Sequence, residues 1–455
     1  MLFVYAKGGP PLSYAIARIS AHATVHILAL APMPSPDREA WEPHCASVVH
    51  VPPGTEDDVV RLIADRAGAV GADAVMTLSE FAVIAVAEAC EKLGLPGAGG
   101  GAVAARDKRA MRAAWQAAGV PVPGFVPVHD EADMRAAVDR LDLPVLLKSA
   151  WSVGSIAHQV ITSEADAVEA WARSVGVIED SARAGLEELR VPQARGHFLV
   201  EELVAGSADD WYGPESGWGD YVSVEGIVAD GRYHPLCITG KLPTIPPFTE
   251  RASISPTTLP EPAQRRIEEL SRAAVNALGL STCATHTEIK LGPRGQMWVI
   301  ETAARFGGAM TVPQVESVFG IDMIGMLTRQ LLGRTVGYPP RMLTEGHGAT
   351  ASLLIHPVHP DGTPWTPLPV WDFDAVPWHT LLSPGGHIEV VPELSRPNGT
   401  PTVPYDAAGG STSMAALCLV SGADATSVAD DCHRIVEALP RLLPLGRGVR
   451  EETTR

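Results

Sequence analysis

Glu288 and Glu301 stand on either side of Gly292-Pro293-Arg294-Gly295, inside two runs in which apolar residues alternate with polar ones. That pattern predicts a β-hairpin over residues 284–303. With the tight turn at Arg294-Gly295, Gln296 faces Pro293, and counting outward sets Glu301 opposite Glu288. Facing residues have Cβ atoms roughly 4.5–5.5 Å apart, where like charges repel. Two carboxylates so placed read either as a solvated surface pair or as ligands of a bound cation. Mg²⁺ suits them best, being hard, oxygen-bound and commonly shared between carboxylates and phosphates. Arg305 and Gly307-Gly308, just downstream, favour the cation.

Lys148 ends an apolar strand at 144–148 and is followed by a loop of small residues that includes Ser152, Gly154 and Ser155, then a second strand at 158–162. A glycine/serine loop between two strands, with a lysine at its base, can close over phosphates through backbone amides and a point charge. Glu80 follows the apolar run 74–78 and precedes a helical pattern at 81–93. It reads as a helix-start acid favoured by the dipole, or as a carboxylate facing a cleft, because parallel sheets bind ligands at the C-terminal ends of their strands.

The elements that must position these groups divide the chain into three. Residues 1–104 alternate strands (2–5, 25–31, 74–78) with helices, which predicts a small α/β domain on a parallel sheet. A glycine-rich joint at 97–101 leads to residues 105–345, with Lys108 at their start. Helices are expected there at 111–118, 131–141 and 262–278. Strands are expected at 198–204, carrying Glu201, Glu202 and Leu203, and at 221–228 and 233–238, with Lys241 just beyond. Between them, 206–220 reads as a surface insertion. Residues 346–455 are rich in Pro, Gly and His, with short strands at 349–356 and 414–420, a closing amphipathic helix at 426–439 and a charged tail from 444. The histidines His347, His356, His359, His379 and His387 are too dispersed for a zinc site.

A chain of 455 residues has room for roughly two to four domains. Its 46% hydrophobic and 19% charged residues are those of a soluble globular protein. A net charge of −18 argues against nonspecific binding to nucleic acid or an anionic membrane, so any phosphate must be held by local cations and amides. Six scattered cysteines without C-x-x-C spacing suggest buried thiols in a reducing compartment. With no signal pattern and no membrane-length apolar run, the expected location is the cytoplasm.

The order of these features resembles the ATP-grasp superfamily: an early lysine, a strand lysine before a glycine/serine loop, Glu201-Glu202-Leu203, two metal carboxylates, then Arg305 and Gly307-Gly308. Within it, 220–227, 283–290 and 301–308 look most like L-amino-acid ligases of the bacilysin-synthetase type, which make dipeptides. The resemblance implies an α/β ATP-grasp fold with a Rossmann-like N-terminal pre-domain, a core with a lid at about 120–205, and a C-terminal lid domain. It implies ATP and Mg²⁺, with Mn²⁺ as an alternative, and small amino-acid or amine substrates for a monomer or homodimer. Lys108, Lys148 and Lys241 would contact phosphates, the 152–157 loop would be the lid, and Glu201, Glu202 and Leu203 would form the adenine-facing hinge. Glu288 and Glu301 would bind the metal. Arg305 would take a substrate carboxylate or acyl phosphate, or serve as a structural ion pair. His286 would order a metal carboxylate, and Glu80 would hold a substrate amino group.

Three positions depart from the family pattern. Ala303 stands where many members have an asparagine metal ligand, leaving water or substrate to complete the shell. Asp220 is one residue away from the usual ribose-binding acid. Ala309 replaces a bulky aromatic after Gly307-Gly308, which predicts a roomier acyl-substrate pocket. The implied reaction is ATP-dependent carboxylate–amine ligation. The alternatives are an ATP-grasp carboxylase or phosphotransferase and an inactive ATP-binding module.

Overall fold

The computed structural model describes residues 1–34, 38–51, 58–186, 188, 189 and 196–446. The part of the expected charged tail beyond 446 lies outside them. The N-terminal sheet is parallel, in spatial order Cys45–His50, Val25–Ala29, Leu2–Tyr5 and Val75–Met76. Cys45–His50 is a half-exposed edge strand not expected from the sequence. Buried Leu12, Ala15, Ile16 and Ile19 recur at helical spacing on Leu12–Ser20, which packs that face onto the sheet.

A second sheet of four strands, antiparallel in its pairings, carries the loop and the strand lysine. Its order is Phe125–Val128, Phe198–Glu202, Val145–Ser149 and Gln159–Ile161. The helices Glu131–Arg140 and Ala167–Arg183 cover one face, burying Met134, Ala137, Ala167 and Ala170 against Val145, Leu147 and Phe198.

The third sheet has eight strands and is the framework of the molecule. Its order is Met297–Ala303, Cys283–Leu291, Tyr221–Ala229, Arg232–Lys241, Ala252–Ser255, Ala349–Ile355, Ala416–Gly422 and His387–Val390. Strands from beyond residue 346 therefore continue the same sheet that carries Glu288 and Glu301. Helix Glu261–Ala277 packs Ile267, Leu270 and Ala274 against it, and helix Ala425–Leu442 buries Val428, Cys432, Ile435 and Leu439 at the C-terminal end. No helix among the described residues is long and apolar enough to cross a membrane.

Candidate active site

Glu288 and Glu301 are direct partners across the hairpin. The turn that brings them together differs from the expected one. Gly292 N–H donates to the Gln296 carbonyl at 2.8 Å, enclosing the turn Pro293–Gly295, where Arg294 takes φ 54°. That wider turn offsets the pairing by one residue, and an irregularity between Glu288 and Ile289 leaves Ile300 over and restores it. Burial pushes both carboxyls up, but their neighbours win. His286 and Lys241 hold Glu288 below the usual range, while Lys108, Lys148 and Arg305 bring Glu301 down to about 2. Two ionised carboxylates facing each other are the donor set a hard divalent cation stabilises. Among the described residues no third acid, histidine or cysteine joins them, and buried Ala303 offers no donor. The pair therefore fits a hard divalent cation such as Mg²⁺.

Three buried lysines converge on this hairpin. Lys108, the first residue of helix Lys108–Ala117, lies 3.0 Å from Glu301 Oε1 and donates to the Ser152 carbonyl at 2.8 Å. It thus ties the loop to Glu301. Lys148 pairs with Glu201, which also takes Arg112 Nε at 2.6 Å. One carboxylate between two cations stays ionised: burial pushes Glu201 up, but Arg112 and Lys148 bring it below the usual range. Burial, only partly offset by Glu201 and reinforced by Arg112 and Lys108, depresses Lys148. A surplus positive charge is left where an anionic phosphate would complete the balance. Lys241 lies 2.6 Å from Glu250; burial would lower its pKa, but Glu250 and Glu288 raise it.

His286 bonds through Nδ1 to Glu225, which is fully buried, and its Nε2 is 3.5 Å from Glu288. Burial opposes protonation there, but Glu225 and Glu288 push the imidazole up to about 9. Glu225 also accepts the Gly307 N–H at 2.9 Å. A Cβ on Gly307 would sit 2.9 Å from His286 and Thr311, so only glycine lets this loop approach so closely. Arg305 Nε is 2.6 Å from Glu80, and Glu80 is 3.5 Å from Arg106, which pairs with Glu188 at 2.8 Å. Glu80, in the turn after the N-terminal sheet, and Arg305, just beyond strand Met297–Ala303, thus meet. Gly308 is open, and Ala309 at φ 54° lies beside Met310 and Leu354.

The loop above the lysines is docked onto the rest of the chain. Gly154, Ser155 and Ala157 all have positive φ. Ser152 Oγ donates to the Ser149 carbonyl at 3.3 Å, Ser155 Oγ to the Phe248 carbonyl at 3.0 Å, and Ala157 N–H to the Ala408 carbonyl at 2.9 Å. At the hinge, Glu202 accepts the Gly124 N–H at 2.9 Å, and Leu203 N–H reaches the Pro144 carbonyl at 3.4 Å. The Glu201 side chain is turned to Arg112 and Lys148, and its backbone lies between Phe125 and Leu146 of the two neighbouring strands. Asp220 is engaged by Lys290 at 2.7 Å.

Four groups with a clear place in this network escaped the sequence reading. Glu225 shares a strand face with Ser223, opposite His286 and Glu288, so period-two alternation alone would have aimed it at the hairpin acids. Arg112 lies four residues after Lys108 and therefore on the same helix face. Glu250 has no comparable signal. His158 is the fourth: its Nδ1 is buried without a partner, and burial, then Lys148 and Lys108, hold the ring well below its usual pKa.

Residues 37–97 match the ATP-grasp N-terminal domain family, and residues 141–313 match the ATP-grasp domain family. An alanine–anticapsin ligase of Bacillus subtilis is 39% identical over 309 residues, 67% of this chain and 63% of that enzyme. The chain thus spans somewhat less than two thirds of that relative. Human carnosine synthase 1 is 24% identical over 328 residues, 66% of this chain and 36% of its own length. The crystal structure of an L-amino acid ligase from Bacillus licheniformis superposes with a TM-score of 0.72 at 20% identity, covering 97% of both chains.

Proposed function

The chain belongs to the ATP-grasp superfamily, and from that premise we propose that it joins an amino acid, activated as its acyl phosphate, to the amine of a second amino acid, releasing ADP and phosphate. The observation that carries this reading is Lys108, which ties the loop above the site to Glu301 within a network that reaches Arg305. That a 39% identical relative is an alanine–anticapsin ligase supports the amide-forming class.

Glu288 and Glu301 would hold Mg²⁺, which supplies neutralisation of phosphate charge. Lys108, Lys148 and Lys241 would draw the phosphates into the surplus positive charge, and Ser152, Gly154 and Ser155 would cover them and keep out water. Glu201, Glu202 and Leu203 would border the adenine through their backbone. Arg305, paired with Glu80 in the free protein, would exchange that partner for the substrate carboxylate and then stabilise the acyl phosphate and tetrahedral intermediate. Glu80 would then take the substrate ammonium, while His286 would hold Glu288, and Gly307, Gly308 and Ala309 would line the acyl side. Six free thiols support a reducing, cytoplasmic setting.

A phosphate-release screen with ATP, Mg²⁺ and pairs of amino acids, followed by mass measurement of products, tests the proposal. Ligation requires both substrates and gives the mass of an amide. Phosphate release with a single carboxylate or bicarbonate, and no amide, would replace ligation by a carboxylase or phosphotransferase. No release under any pairing would leave an inactive nucleotide-binding protein.

A further inference from the structure

A buried cation without a counter-charge lies between the central sheet and the C-terminal segment. Arg251, just before strand Ala252–Ser255, is 3% exposed. Among the described residues no carboxylate lies within ion-pair distance of it. Nη2 donates to the Pro360 carbonyl at 3.3 Å, and Nε–H is buried with no acceptor. The other buried arginines near the cleft are treated differently: Arg112 has Glu201, and Arg106 has Glu188.

Arg251 lines a cavity of about 10 Å³, room for about one water-sized particle. His356, also 3% exposed, lines the same cavity with both ring nitrogens unpartnered, and so does Trp365 with an unpartnered indole N–H. Ile245, Leu354 and Leu439 supply apolar wall. The unmatched groups are therefore mostly donors: a guanidinium N–H, an indole N–H and one imidazole N–H. Burial, then Arg251, lowers the His356 pKa to about 4, so the ring is neutral and keeps one donor and one acceptor. A water molecule could accept from these donors but would leave the guanidinium charge unbalanced in an apolar surrounding, which is costly.

We propose that this cavity is a site for a single halide-sized anion, chloride under cellular conditions, which is the counter-ion of Arg251 and fastens strand Ala252–Ser255 to the C-terminal segment. None of the residues that line it belongs to the hairpin acids or the three lysines, so the site is separate from the proposed triphosphate site and independent of the reaction there.

Crystals of the full chain soaked in sodium bromide should show an anomalous peak in contact with Arg251 Nε. In solution, bromide or chloride should raise the melting temperature saturably relative to sodium gluconate at equal ionic strength. A halide concentration 100 times its dissociation constant would shift the unfolding equilibrium about 100-fold. Arg251→Met should remove the halide dependence; should that variant fail to fold, the bromide soak of the unaltered protein decides. Water density without an anomalous signal, or equal stabilisation by halide and gluconate, overturns the assignment.

Discussion

Replacing Glu201 with glutamine removes one negative charge from between two buried cations. Arg112 is fully buried, Lys148 is 3% exposed and Glu201 2%, so solvent can screen neither cation once the carboxylate is gone. Breaking a buried pair by deleting one partner costs about 3–5 kcal/mol, chiefly the cost of the uncompensated charge left behind. The same substitution at Glu131, whose pair with Arg135 lies on an exposed helix face with side chains 47% and 56% accessible, should cost at most about 0.5 kcal/mol. Urea unfolding of both variants measures the contrast as midpoint shifts at unchanged slope. Nucleotide should narrow the gap, because its phosphates bring negative charge to Lys148, so ATP with Mg²⁺ should raise the melting temperature of Glu201→Gln more than that of the parent. If Glu201→Gln unfolds within about 1 kcal/mol of the parent, or matches Glu131→Gln, the clamp is not what fixes Lys148.

Glu288→Gln and Glu301→Gln should each lower Mg²⁺-dependent turnover on the order of 100-fold or more while circular dichroism stays unchanged; near-normal activity in both would remove the hairpin from the metal site. Ala309→Trp should narrow the acyl substrates toward alanine-sized acids, read as kcat/KM across a side-chain series, with some loss of stability because φ 54° is unfavourable for a bulky residue. His356 is lowered to about 4 from its ordinary 6.5, so its contribution is complete above pH 6.5 and is lost as pH falls toward 4. In halide-free buffer the parent should lose about 2–3 kcal/mol more than His356→Leu between pH 7 and 4.5, and parallel pH curves would contradict this.

The hairpin shows what local pattern can and cannot supply. Alternation placed Glu288 opposite Glu301, but through a tighter turn than the chain makes; the bulge at Ile300 cancels the difference, and nothing in the apolar spacing marks it. Lys108, Lys148 and Arg305 were legible because each sits beside a local break: after a glycine joint, at the end of an apolar strand, and just before a glycine pair. Helix Ala167–Arg183 was missed because Val175, Gly176 and Val177 give it poor intrinsic propensity; its packing onto the four-stranded sheet supplies the stability. Glu80 and Arg305, 2.6 Å apart in space, follow strands of different sheets, and no local rule encodes such a meeting. The same holds for Arg112 with Glu201, which makes a clamp of a residue expected at the adenine hinge.

The eight-stranded sheet has a consequence for the order in which the protein is made. Strand Ala252–Ser255 emerges from the ribosome well before Ala349–Ile355, and the latter is covered only once Ala416–Gly422 has been synthesised. Until then the nascent core carries an open strand edge, the kind of surface that pairs with neighbouring chains. A shortened product ending near residue 346 would keep every acid and lysine of the cleft yet expose that edge permanently, and should be recovered mainly as aggregate.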